Sequence, residues 1–108
     1  MKITRFALVA AMASLLAAPA WAQTSNNPDF TLRNRGSVVI NEVYVSSSAT
    51  SNWGADRLGA NTLAPGRSLS IVLPAGQCRN DIKVVFANGR ESERRGVNTC
   101  ELTEVVFP

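Results

Sequence analysis

The stretch CRNDIKVVFANGRESERRGVNTC, residues 78–100, decides the fold. Ile82, Val84 and Phe86 alternate with Asp81, Lys83 and Val85, a period of two that marks a strand with one buried face. Asn88-Gly89 follows. Both central positions of a type I′ turn need positive φ, which Asn tolerates and Gly adopts freely, so this dipeptide is a strong hairpin signal. The returning run, 90–95, is polar on both faces. It reads as a solvated edge strand whose charges discourage pairing with another chain.

The register carries a second expectation. With Asn88-Gly89 as the whole loop, Ala87 faces Arg90, Phe86 faces Glu91 and Cys78 faces Thr99, just short of Cys100. A single-residue bulge would bring the cysteines level, and Gly96-Val97 is the natural place for it. Cys78 and Cys100 are expected to form a disulfide. They lie far apart in sequence, lack the CxxC spacing of a redox pair and belong to a chain with an export signal. Closing such a loop stabilises a fold by about 3 kcal/mol in the chain-entropy model.

That signal is the opening segment, MKITRFALVAAMASLLAAPAWAQ. Lys2 and Arg5 form a positive start, and 6–16 is an apolar run too short to span a bilayer. Ala20-Trp21-Ala22 offers small residues for cleavage after Ala22. The expected products are a signal peptide, 1–22, and a single β domain, 23–108, in the periplasm or secreted. No twin arginine precedes the apolar run, which favours the general secretory route. No cysteine follows the cleavage point, so no lipid anchor is expected. Beyond Leu16 no apolar run is long enough to cross a membrane, so the mature chain is expected to have no integral membrane segment.

Cleavage also changes the charge. The full chain has 11 Lys+Arg and 8 Asp+Glu, and losing Lys2 and Arg5 leaves a net charge near +1. The basic character belongs largely to the signal, and it gives no reason to expect nucleic acid as a partner. A domain this small buries a modest fraction of its surface, which is the physical reason for a covalent tie.

Along the mature chain, Phe30-Thr31-Leu32 starts a strand and 34–37 has turn chemistry. Val38 to Ser46 is the longest β-rich run. It is apolar on both faces, as expected of a central strand. The segment 46–61, SSSATSNWGADRLGAN, has no sustained period and is long for a loop in so small a domain. Leu69, Ile71 and Leu73 alternate with Ser68, Ser70 and Val72, and 102–107 forms a last strand. Six or seven short strands without a long amphipathic helix point to an all-β fold. The expected architecture is a small antiparallel two-sheet sandwich, with a small β-barrel as the alternative.

FTLRNRGSVVINEVYVS, NWGADRLG, LAPGRSLSI, CRNDIKVVFANGRE and GVNTC together resemble a family of small exported bacterial proteins. Its members carry labels such as hypothetical protein, Tat-pathway signal protein and, in places, argininosuccinate lyase. The resemblance spans nearly the whole mature chain. It implies a compact exported domain and brings no established activity. The lyase label describes a much larger, helical, cytosolic enzyme type, which this composition contradicts.

Trp53-Gly54-Ala55-Asp56-Arg57-Leu58-Gly59 is the stretch where a site would sit. In a functional reading Trp53 is a stacking platform, and Asp56 with Arg57 fixes a polar ligand. In a packing reading Trp53 plugs one end of the sandwich, Leu58 covers the core, and the two glycines allow tight turns. The packing reading is preferred, because large aromatics more often pack than bind. Asp56 and Asp81 could contribute to a calcium site, but no run of acids supplies the six to eight ligands that ion needs. Asp81 could equally pair with an arginine or accept turn N–H groups. Arg90, Arg94 and Arg95 could contact a phosphate or acidic glycan, although Glu91 and Glu93 interleave with them.

Catalysis has few tools here. The chain has no histidine, which removes imidazole acid–base chemistry and the common zinc sites. No glycine-rich phosphate loop appears. The expectation is a non-catalytic binding or envelope-interaction module without a cofactor. It would use the 46–61 loop or the charged edge to hold an unknown protein or envelope component. A calcium-stabilised module and a carboxylate-dependent hydrolase are the alternatives.

Overall fold

The alternation at 82–86 becomes β4 (Arg79–Phe86), with Ile82, Val84 and Phe86 buried. β4 is the middle strand of a sheet between β2 (Ile40–Ser47) and β5 (Glu91–Asn98). A second sheet places β1 (Phe30–Asn34) between β3 (Ser68–Ile71) and β6 (Glu104–Phe107). The structure is a computed structural model describing residues 25–108, and no helix occurs among them. The export signal expected over 1–22 lies outside the described residues.

Both sheets feed one core. Leu32, Ile71, Val105 and Phe107 of one meet Ile40, Val43, Val45, Ile82, Val84 and Phe86 of the other. The chain thus builds a two-sheet all-β fold that does not close into a barrel. One pairing departs from the antiparallel expectation: β1 and β6 run parallel, with Leu32 opposite Val105. Parallel neighbours need a long crossover. Here the whole of β2 to β5 lies between them in sequence and serves as that connection.

β2 is not the central strand that its two apolar faces implied. Among the described residues its one strand partner is β4. The register shifts between Ile40 and Glu42. That irregularity changes the phase of the alternation, so Ile40, Val43 and Val45 are all buried while Glu42 and Tyr44 are only half-buried. A phase change produced the two-faced pattern, rather than burial on both sides.

The hairpin loop also differs from the expected two-residue turn. The Gly89 N–H donates to the Phe86 carbonyl at 2.9 Å, and the Phe86 N–H donates to the Arg90 carbonyl at 2.8 Å. The loop is therefore Ala87-Asn88-Gly89, with Gly89 at φ +88°. Only the last loop residue of this form needs the left-handed region, and glycine occupies it. Asn88 accepts the Arg90 N–H through its side chain at 3.0 Å.

The expected bulge exists, one residue early. Ile82 faces Arg94 and Asn80 faces Val97, leaving Arg95 and Gly96 opposite Asp81. Gly96 has φ +65°, a conformation that glycine adopts freely. The bulge does not level the cysteines. The three-residue loop shifts the register one way, and the bulge shifts it back. The Thr99 N–H still donates to the Cys78 carbonyl at 2.8 Å. The disulfide joins Cys78 to Cys100 diagonally, with Cα atoms 5.0 Å apart.

Two fully buried asparagines hold the strand ends. The Asn34 side-chain amide donates to the carbonyls of Val38 and Leu63, and its oxygen accepts the Gly36 N–H. Asn80 donates to the Gln77 carbonyl and the Thr99 hydroxyl, and accepts from the Gln77 amide. Buried amides cost little when satisfied and much when orphaned, so these two fix the turns that meet them.

Candidate functional site

The site grows from the outward residues of β2, β4 and β5. Register aligns Tyr44, Lys83 and Glu93 in one row across the sheet, and the next row runs from Ser46 to Asp81 and the bulge at Arg95-Gly96. The long loop after β2 returns to this face and lays Trp53 on it. The Lys83 ammonium sits 5.2 Å from the Trp53 ring centre, and the Arg95 guanidinium sits 5.1 Å from it. Lys83 also lies 5.0 Å from the Tyr44 ring. One indole is thus flanked by cations from two adjacent rows, each held by attraction to the ring's negative face.

Acidic groups keep this array in place. Arg95 reaches Glu93 at 2.9 Å and Asp81 at 3.3 Å. Asp81 also accepts the Gly96 N–H at 2.9 Å and the Ser48 hydroxyl at 2.7 Å. The Gly96 N–H, the Ser48 hydroxyl and the Arg95 charge together hold the Asp81 carboxyl below its usual value, against the opposing effect of burial. The Tyr44 hydroxyl donates to Glu42. That bond, with smaller contributions from burial and nearby carboxylates, pushes the phenol up to about 12.

The sequence-derived site residues do not converge. Trp53 does not plug the sandwich end: it is half-buried on the outer face and stands outside the core. Its cation partners come from β4 and β5, so they leave no trace in the local sequence. Asp56 accepts the N–H groups of Val43 and Leu58, each at 2.9 Å. It acts as a clamp that ties the loop to β2. The Arg57 N–H completes that tie by donating to the Val43 carbonyl at 2.7 Å, and its guanidinium reaches the Val72 carbonyl. Leu58 does cover the core, and Gly54 and Gly59 turn with φ of +76° and +59°.

The length of this loop thus has a structural use. Ile40 exchanges two backbone hydrogen bonds with Leu63, and Val43 is paired by Asp56 and Arg57. Together these contacts cover the outer edge of β2, which would otherwise be open to another strand.

The three edge arginines separate. Arg95 faces outward to Trp53, Arg90 lies over Phe86, and Arg94 turns inward over Phe107 and donates to the Val106 carbonyl. Arg94 thereby links the edges of the two sheets, and no single basic stripe forms. Asp81 lies on a strand and spends its oxygens on protein donors. Among the described residues no group of three or more His, Cys, Asp or Glu side chains could hold a metal ion.

No family model, curated protein or solved structure matches the chain. Its chemistry rests on its own residues. Neither Tyr44 nor Lys83 stands out in the sequence: Lys83 alternates with Ile82 and Val84, but Tyr44 lies in a run that is apolar on both faces. Their meeting with Trp53 depends on cross-strand register and on the return path of the loop. The disulfide is the mark of a non-cytoplasmic protein. Among the described residues no helix is long and apolar enough to cross a membrane.

Proposed function

We propose that this chain is an exported, non-catalytic binding module of the periplasm or extracellular space, of the small bacterial kind its motifs resemble. It docks a protein or envelope component on the outer face of the β2-β4-β5 sheet. The Tyr44–Lys83–Trp53–Arg95 array carries this reading. Trp, Tyr and Arg are the residues that dominate binding energy at protein interfaces, and they do so when clustered. Here they are clustered, partly exposed and already ordered by cation–aromatic and ionic contacts, so little ordering entropy remains to be lost on docking. The absence of histidine and the oxidation of both cysteines support a role without catalysis. Partners cross-linked from periplasm by the wild-type protein should be lost with Trp53→Ala while the fold stays intact. An identical partner set with Trp53→Ala and with Tyr44→Ala would reject this face as the docking surface.

A further inference from the structure

A second feature lies away from this face, where the chain crosses from β2 to β3. An open cleft of about 660 Å³ runs there, bordered by Arg57, Asn61, Thr62, Arg67 and Ser68 over a floor that includes Leu58, Leu63 and Leu69. We propose that this cleft binds a small organic anion, with Arg57 and Arg67 holding its carboxylate or phosphate and the leucines receiving its apolar part.

The charge balance gives the first reason. Two arginines border the cleft and no Asp or Glu does. Among the described residues neither arginine has an ionic partner. Asp56, the acid beside Arg57 in sequence, is occupied by the amides of Val43 and Leu58. Arg57 spends one donor on the Val72 carbonyl, leaving the rest of its fork for a ligand. The side chain of Arg67 has no hydrogen-bond partner among the described residues. A planar guanidinium matches carboxylate and phosphate oxygens in geometry as well as charge.

Anchoring of both walls is the second reason. Arg57 is tied to β2 through its own N–H and the Val43 carbonyl at 2.7 Å. Arg67 is placed by Asn34, which is fully buried. The Asn34 N–H donates to the Arg67 carbonyl at 3.0 Å, and the Gly66 N–H donates to the Asn34 carbonyl at 2.7 Å. The Asn34 side chain also holds the Leu63 carbonyl at 3.0 Å. Both backbones are therefore set before any ligand arrives, so the two arginine side chains are what a ligand has left to order. The volume lies within the range of small-molecule sites.

The test is an amide NMR titration of the mature chain with benzoate, phenyl phosphate and neutral benzyl alcohol. Benzoate or phenyl phosphate should give saturable shifts confined to residues 57–69, and the comparison of the two tells which anion is preferred. Benzyl alcohol should give none. Arg57→Gln and Arg67→Gln should each weaken binding about tenfold, the effect of losing a charge-assisted hydrogen bond. Arg33→Gln, which removes an arginine already paired with Glu104, should leave binding unchanged. If Arg57→Gln disturbs folding through Val72, Arg67→Gln alone decides. No saturable shift, equal shifts with benzyl alcohol, or unchanged affinity in Arg67→Gln would overturn the proposal. Trp53→Ala should bind the anion normally, so this site and the outer face fail or survive separately.

Discussion

Asp81 and Gly96 face each other across the hairpin, and the carboxylate of the first accepts the amide of the second at 2.9 Å. The bulge brings that amide within reach of the Asp81 carboxylate, which ties the irregular point of β5 to β4. Asp81→Ala should destabilise the domain by about 2 kcal/mol, because it removes two hydrogen bonds, from the Gly96 N–H and the Ser48 hydroxyl, to a charged and buried acceptor. The pH dependence has a definite sign. The folded-state carboxyl titrates below its ordinary 3.8, so its contribution is present above that value and is lost as pH falls through the folded value. Urea unfolding followed from near neutrality into acid should show this loss, and Asp81→Asn should flatten it. Equal acid sensitivity in the two proteins would contradict this role.

Tyr44 is the chain's single tyrosine, so phenolate absorbance reads it without overlap. Its midpoint should lie near 12 rather than the ordinary 10.0, and Glu42→Gln should bring it down. A raised folded-state value means that the stabilisation is complete below the ordinary value and fades as pH climbs through the folded one. A wild-type midpoint at the ordinary value would show that the Glu42 contact does not persist in solution.

The disulfide spans a sequence separation of 22 residues. Replacing Cys78 and Cys100 together with alanine should cost about 3 kcal/mol, read as a lower denaturant midpoint. The hairpin should still form at low temperature, because Thr99 still pairs with the Cys78 backbone. Mass spectrometry showing two free thiols in the purified protein would remove this tie altogether.

Asp56 separates a clamp from a metal ligand. Asp56→Ala should cost about 1–2 kcal/mol and speed hydrogen exchange at Val43 and Leu58, whose amides it receives. Asp56→Asn keeps an acceptor oxygen and should lose less. A calcium-dependent rise in the wild-type melting midpoint that Asp56→Asn abolishes would instead identify a cation site.

Much of the scaffold was legible in the chain itself. The alternation through 82–86 located the hairpin's buried face, and the charges of 90–95 marked an edge. The cysteines announced their bond. Each of these signals is local, or depends only on compartment chemistry. The hairpin loop was harder to read, because Asn-Gly serves a two-residue turn and also the end of a three-residue one. Both forms need a left-handed glycine at the same place. The bulge was expected in order to level the cysteines, with Gly96 as its place; it lies at Gly96, but it offsets the three-residue loop and leaves Cys78 opposite Thr99.

Other features came only with tertiary structure, and all of them are non-local. β2 lies at an edge because a loop segment, 56–63, takes the place of its second neighbour. β1 pairs with β6 in parallel because the chain between them builds the opposite sheet. Trp53 rests between Lys83 and Arg95, far from its sequence neighbours. The sequence alone determined which segments extend and which of the 82–86 side chains turn inward, since side-chain period and turn chemistry act over a few residues, and it determined which sulfurs join, since the chain has two cysteines. Tertiary structure decided which edges meet and which side chains gather on the outer face. Those outcomes follow from register and chain path, which the whole core selects together.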